Sequence, residues 1–159
     1  MKSLRFRPIS AVILGVAVVL ALAAMVSMRV LAADEPSPQL LQPAELVKVL
    51  QGPESRKPLL IQVGFRTLYE QAHIPGSEYI GPASEAPGLQ ALHKRVQALP
   101  RNRFIVLYCG CCPWSHCPNV RPAYKELREM GFSNVKVLYI ASNFGADWVD
   151  KGYSVTRGN

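Results

Sequence analysis

Three short apolar runs limit what this chain can fold into. Leu59-Leu60-Ile61-Gln62-Val63 and Phe104-Ile105-Val106-Leu107-Tyr108 are of strand length with almost no polar positions, and Val135 to Ile140 reads as a third strand. A strand with one wet face alternates apolar and polar residues, so uninterrupted runs fit strands covered on both faces. Between them lie helical stripes. Leu89, Leu92, Val96 and Leu99 recur at helical spacing and stop at Pro100; Val120, Ala123, Tyr124, Leu127 and Met130 form the next stripe. For this second helix Asn119 is the expected N-cap, Pro122 fits the first turn and Gly131 the C′ position. Alternating strands and helices predict an α/β fold: a doubly wound parallel sheet flanked by helices, in a single domain. Gln42 to Leu50 adds a short helix, Thr67 to Ala72 a helical piece, and Tyr79-Ile80 a short strand after the turn His73-Ile74-Pro75-Gly76. The tail, Asn143 to Asn159, reads as loop with one helical turn around Ala146 to Asp150.

The first 33 residues stand apart. Lys2, Arg5 and Arg7 precede an uncharged stretch, Ala11 to Met28, and small residues follow before Asp34. This reads as a secretory signal peptide or, if uncleaved, an N-terminal anchor through residues 11–28; both predict an exported protein, periplasmic or secreted. Membrane contact is expected only through that segment. Residues 34–41 read as a polar linker and 42–159 as the domain. The leader holds four of the 18 basic residues and no acid, which leaves 14 against 11, a net of +3 rather than +7. No basic face emerges, and nucleic-acid binding is not expected.

All four cysteines fall within nine positions: Cys109-Gly110-Cys111-Cys112-Pro113-Trp114-Ser115-His116-Cys117. In an exported chain four cysteines ordinarily read as two structural disulfides. Cysteines this close shut only tiny loops and tie no distant elements together. The segment instead runs from the carboxyl end of a central strand, where open α/β sheets carry their working sites, to a helix start that favours a thiolate.

From Gln42 to Val155 the chain resembles the rhodanese-like domain. The likeness rests on Leu60-Ile61-Gln62-Val63 with Tyr69 and His73-Ile74-Pro75-Gly76-Ser77. It rests also on Ile105 to Cys109, and on Ala123, Leu127, Gly131-Phe132, Val135-Val137-Leu138, Trp148 and Gly152. The resemblance implies that fold and a Cys109 nucleophile that carries sulfane sulfur. The sequence also departs from the family pattern. Gln62 and Gly64 stand where the family has Asp and Arg, and Ile140-Ala141 replaces a Gly-Gly pair. The loop is enlarged, its first following arginine being Arg121, twelve residues after Cys109.

The resulting expectation is a sulfurtransferase. Cys109 takes sulfur from a small anion such as thiosulfate, and a thiol acceptor or redox partner protein removes it. Cys111, Cys112 and Cys117 are candidates for resolving or relaying the persulfide, with Gly110, Trp114, His116, Asn119 and Arg121 supporting the substrate loop. No cofactor is required. The alternative is a thiol-redox or metal-binding module on the same fold, with Cys109, Cys111, Cys112, His116 and Cys117 as ligands. The spacing is not the paired C-x2-C of zinc sites, and the Cys-x-Cys-Cys crowding favours Cu(I) over Zn there. A phosphatase needs an arginine clamping phosphate beside the thiolate, and Arg121 lies too far along the chain. His73 reads as a structural turn residue and His93 as solvated.

Overall fold

The computed structural model describes residues 37–159. Five parallel strands run in the order β1-β5-β4-β2-β3: β1 (Gln39–Leu41), β2 (Leu59–Gln62), β3 (Glu78–Tyr79), β4 (Ile105–Tyr108) and β5 (Val135–Leu138). Helices α1 (Pro43–Leu50), α2 (Arg66–Gln71), α3 (Ala86–Val96) and α4 (Val120–Glu129) connect them. The expected α/β sheet and its central strands are therefore present. β4 is the middle strand, registered through Ile61↔Leu107 on one side and Leu107↔Val137 on the other.

The period-two geometry of β4 divides the core. Ile105, Leu107 and Cys109 face one side, against Leu92, Val96, Val120, Ala123 and Leu127 of α3 and α4. Val106 and Tyr108 face the other side, against Leu46, Ile74, Phe144 and Trp148. Cys109 thus continues the α4-facing row of its strand, and α4 begins where the cysteine loop ends. The far end of α4 closes as expected. Gly131 takes φ +88°, its N–H bonds to Arg128 O, and Phe132 N–H reaches Leu127 O at 3.0 Å.

One assignment differs from the sequence reading. Gln39–Leu41 is not linker but the edge strand β1, paired with Lys136–Leu138; the three residues gain a backbone ladder and bury Leu41. In the tail the expected helical turn is present as a π-helical turn, Gly145–Val149, which sets the fully buried Trp148 against Phe144, and Thr156 bridges back to His73. The signal or anchor assigned to residues 1–33 lies outside the described residues. No helix among the described residues is long and apolar enough to cross a membrane.

Candidate active site

The loop after β4 is fastened at several points. Gly110 adopts φ +89°, and a Cβ there would meet Phe144 Cβ at 2.7 Å. Its carbonyl accepts Phe144 N–H at 3.0 Å, and Trp114 N–H donates to Ile140 O at 2.9 Å. Beneath the loop Gln62, 1% exposed, donates from Nε2 to Cys109 O at 3.0 Å and accepts Gly64 N–H on Oε1 at 3.1 Å. The neutral amide at the family's Asp position thus clasps the nucleophile's backbone and satisfies both of its own polar atoms. Half-buried Trp114 packs against the α3/α4 core.

The four sulfurs are free thiols. The Cys109 thiol lies 3.3 Å from Cys111 Sγ, which is 3.0 Å from Cys112 Sγ. The sulfurs of Cys109, Cys111 and Cys117 all lie within 4.8 Å of one another. Cys109 and Cys117 are buried, whereas Cys111 and Cys112 are partly exposed.

The thiolate-favouring position proves to be Cys117 rather than Cys109. The Cys109 thiol donates to Cys111 Sγ and lies beside the Cys117 sulfur, and the backbone N–H groups of Asn119 and Val120 at the start of α4 point at Cys117. Together they pull Cys117 down to about 6 against the opposing effect of burial. Cys109 shifts the other way, because the neighbouring Cys117 sulfur favours retention of its proton and burial adds to the effect. Burial, followed by the bond to Cys111, pushes Cys112 up to about 12.

Asn119 is not the side-chain cap that its position suggested. It is fully buried, accepts Ser84 N–H on Oδ1 at 2.9 Å and directs Nδ2 to Cys109 Sγ at 3.6 Å. Pro122 at the third helical position has no N–H to offer a cap, and the amide holds the nucleophile instead. His116 does not join the sulfurs; it is exposed, with Nδ1 3.0 Å from Ser115 Oγ. Arg121 is exposed and does not line the cleft beside Cys109. That cleft, about 660 Å³, is walled by Cys109, Gly110 and Cys111 on one side and by Phe144, Asn143 and Arg157 on others. Among the described residues Arg157 is its sole charged lining residue, and it donates to Gln71 O at 2.6 Å. No local signal marks Arg157 in the sequence, since the Thr156–His73 bridge brings it in from the tail.

The remaining histidines have structural surroundings. His73 is buried, stacks on Tyr69 at 3.8 Å and hydrogen-bonds to Tyr69 O, as a turn residue should. His93 is not simply solvated but pairs with Glu126 at 2.7 Å, linking α3 to α4.

A parallel sheet whose central strand delivers a cysteine to a loop closing on a helix start defines an α/β domain organised around a thiol. The family description of the rhodanese-like domain matches residues 42–139, and the chain belongs to that family. Among solved structures, the Alr3790 protein from Anabaena sp. is 20% identical, with 74% of this chain and 92% of that one covered at a TM-score of 0.56. BH2092 from Bacillus halodurans is also 20% identical, covering 85% and 84% at 0.56. The single-domain sulfurtransferase RDL2 of Saccharomyces cerevisiae is 19% identical, covering 74% and 94% at 0.54. At these identities the likeness is one of fold. No curated protein sequence matches the chain.

Proposed function

We propose that the protein transfers sulfane sulfur through a persulfide on Cys109, taking it from a small anionic donor of the thiosulfate kind. The observation that carries this reading is the position of Cys109. It directly follows the central strand, forms part of a cleft whose one charged lining residue among those described is the cation Arg157, and has the Cys117 sulfur beside it to take its proton. Cys109 sulfur attacks the outer sulfur of thiosulfate, the S–S bond breaks with its electron pair leaving on sulfite, and the Cys109 proton passes to Cys117 sulfur. Cys109–SH, Cys117–S⁻ and thiosulfate become the Cys109 persulfide anion, Cys117–SH and sulfite. Asn119 Nδ2 and the helix start face the charge that remains. Fold alone assigns no chemistry; the single-domain sulfurtransferase among the similar structures is consistent with this reading.

Removal of the outer sulfur has two routes: an external thiol takes it, or Cys111, 3.3 Å away, attacks Cys109 and expels hydrosulfide as a disulfide forms. The leader sequence supports action outside the cytoplasm, where a reductant would be needed to reopen that disulfide.

Intact mass spectrometry tests the reading. Reduced, metal-free protein incubated with thiosulfate should gain ~32 Da, one sulfur atom, through thiolate attack. The gain should vanish in Cys109→Ser. No adduct on the wild-type chain, or an adduct that survives Cys109→Ser, defeats the proposal.

A further inference from the structure

Sulfur transfer through Cys109 does not require three thiols to converge, yet the sulfurs of Cys109, Cys111 and Cys117 form one compact triangle with every separation within 4.8 Å and the Cys109–Cys111 edge at 3.3 Å. A d¹⁰ ion held by three thiolates at about 2.3 Å each sets its sulfurs roughly 4 Å apart. The triangle brackets that spacing, so small side-chain rotations suffice. We propose that Cys109, Cys111 and Cys117 constitute a three-coordinate thiolate site for a soft monovalent cation, Cu(I), and that metal occupancy and sulfur loading of Cys109 exclude one another.

The donor set selects the ion. Structural zinc takes four ligands in a tetrahedron, and among the described residues no fourth His, Cys, Asp or Glu joins the three sulfurs. His116 faces Ser115 at the exposed edge of the loop, and Cys112, though beside Cys111, stands outside the triangle. Soft sulfur ligands in low coordination number suit Cu(I).

The surroundings suit a metal–thiolate group as well. Cys109 and Cys117 are buried in the same core cluster as Val120 and Ala123 of α4. The excess negative charge of a tris-thiolate centre meets N–H donors already aimed at it: the backbone of Asn119 and Val120 at Cys117, and Asn119 Nδ2 at Cys109. Such outer partners orient ligands and offset their charge. Gly64 completes the cage, because a side chain there would occupy the place of Cys109 Sγ. Binding forms three Cu–S bonds and releases the thiol protons; copper remains Cu(I) and no sulfur is oxidised. The site itself is independent of the sulfurtransferase reading; only the mutual exclusion rests on it.

The test titrates the reduced full chain under anaerobic conditions with Cu(I) buffered by bicinchoninate, and reads stoichiometry, affinity and the X-ray absorption edge and fine structure. One Cu(I) per chain is expected, with three sulfur scatterers at about 2.3 Å. Cys111→Ser and Cys117→Ser should each lose more affinity than the ~10–100-fold that removal of an outer partner costs, and Asn119→Ala should fall within that range. Cys112→Ser and His116→Ala should bind as the wild type does, and circular dichroism of each variant shows whether it has folded. Equal losses in Cys112→Ser and Cys117→Ser, a fourth sulfur or nitrogen ligand, or failure of the wild-type chain to compete with bicinchoninate each overturn the site. Sulfur loading is read separately, as the ~32 Da gain on metal-free chain. If copper-loaded protein gains sulfur as fast as metal-free protein, the exclusion falls while the site stands. If metal-free protein gains none, the sulfur-transfer reading falls and the copper titration is unaffected.

Discussion

A Cβ on residue 64 would lie 2.6 Å from Cys109 Sγ, so Gly64 and the nucleophile compete for one space. The family's usual Arg cannot stand here while the sulfur keeps its present place. Gly64 has no left-handed φ, so Gly64→Ala is a purely steric probe. The added methyl also meets Gln62 Nε2 at 3.1 Å and Cys109 O at 3.3 Å, and all three belong to one fixed unit. We expect Gly64→Ala to cost about 1–3 kcal/mol, as overpacking does, and to slow sulfur loading by displacing Cys109 Sγ from Asn119. Chemical denaturation and the rate of the thiosulfate mass gain measure the two effects.

Much of the fold is legible in the sequence because it depends on local patterns. The uninterrupted apolar runs predict central strands, and Gly131 predicts the end of α4 through its own backbone freedom. The site is less legible because its groups meet across the sheet. Gln62 stands out as the polar residue in an apolar run, yet nothing local says that it holds the Cys109 carbonyl 47 positions away. Asn119 has the composition of an N-cap, but Pro122 at N3 offers no N–H for it to accept, and its amide is taken up instead by Ser84 N–H and Cys109 Sγ. Proximity in sequence also misled at His116, where the 3-10 turn Trp114–His116 sends Cys117 inward and leaves the ring outside.

The Gln62 clasp predicts a stability effect distinct from that of Gly64. Gln62→Leu keeps the volume approximately but leaves Gly64 N–H and Cys109 O without their partner in a buried place. Each orphaned group costs about 1–3 kcal/mol. Gln62→Glu retains the acceptor for Gly64 N–H, removes the donor and turns a carboxylate oxygen towards a carbonyl. Both variants should lower the urea midpoint without changing its slope. A Gln62→Glu chain as stable as wild type would show that the Cys109 carbonyl is held by something else.

Asn119 separates support of the fold from support of the reaction. Asn119→Asp keeps an acceptor for Ser84 N–H but replaces the amide donor at Cys109 Sγ with an anionic oxygen. Persulfide formation leaves negative charge beside that atom. Loading should slow by at least ~tenfold, short of the ~10²–10³ of a full oxyanion donor because the contact is long at 3.6 Å. Asn119→Ala leaves Ser84 N–H, on an exposed residue, to water and removes the donor without adding charge. The Asp variant should therefore be the slower of the two. Stopped-flow release of sulfite gives the ranking, and the reverse order would mean that charge at residue 119 does not reach the reacting sulfur.

Arg157 and Arg121 offer a matched pair of cations. Arg157 lines the Cys109 cleft with its guanidinium anchored on Gln71 O, whereas Arg121 lies on the exposed face of α4 outside it. An anionic donor in that cleft has both Arg157 and Cys109 among its walls. Because this cation touches the donor equally before and during attack, its removal should raise KM and leave kcat nearly unchanged. For Arg157→Ala we expect kcat/KM for thiosulfate to fall by about tenfold or more, the equivalent of one charge-assisted hydrogen bond. The loss should shrink at high salt, where the wild-type attraction is itself screened. Arg121→Ala should match the wild type in both constants. Steady-state kinetics at two ionic strengths decides the matter, and equal losses at the two positions would reduce the arginine effect to net charge rather than placement in the cleft.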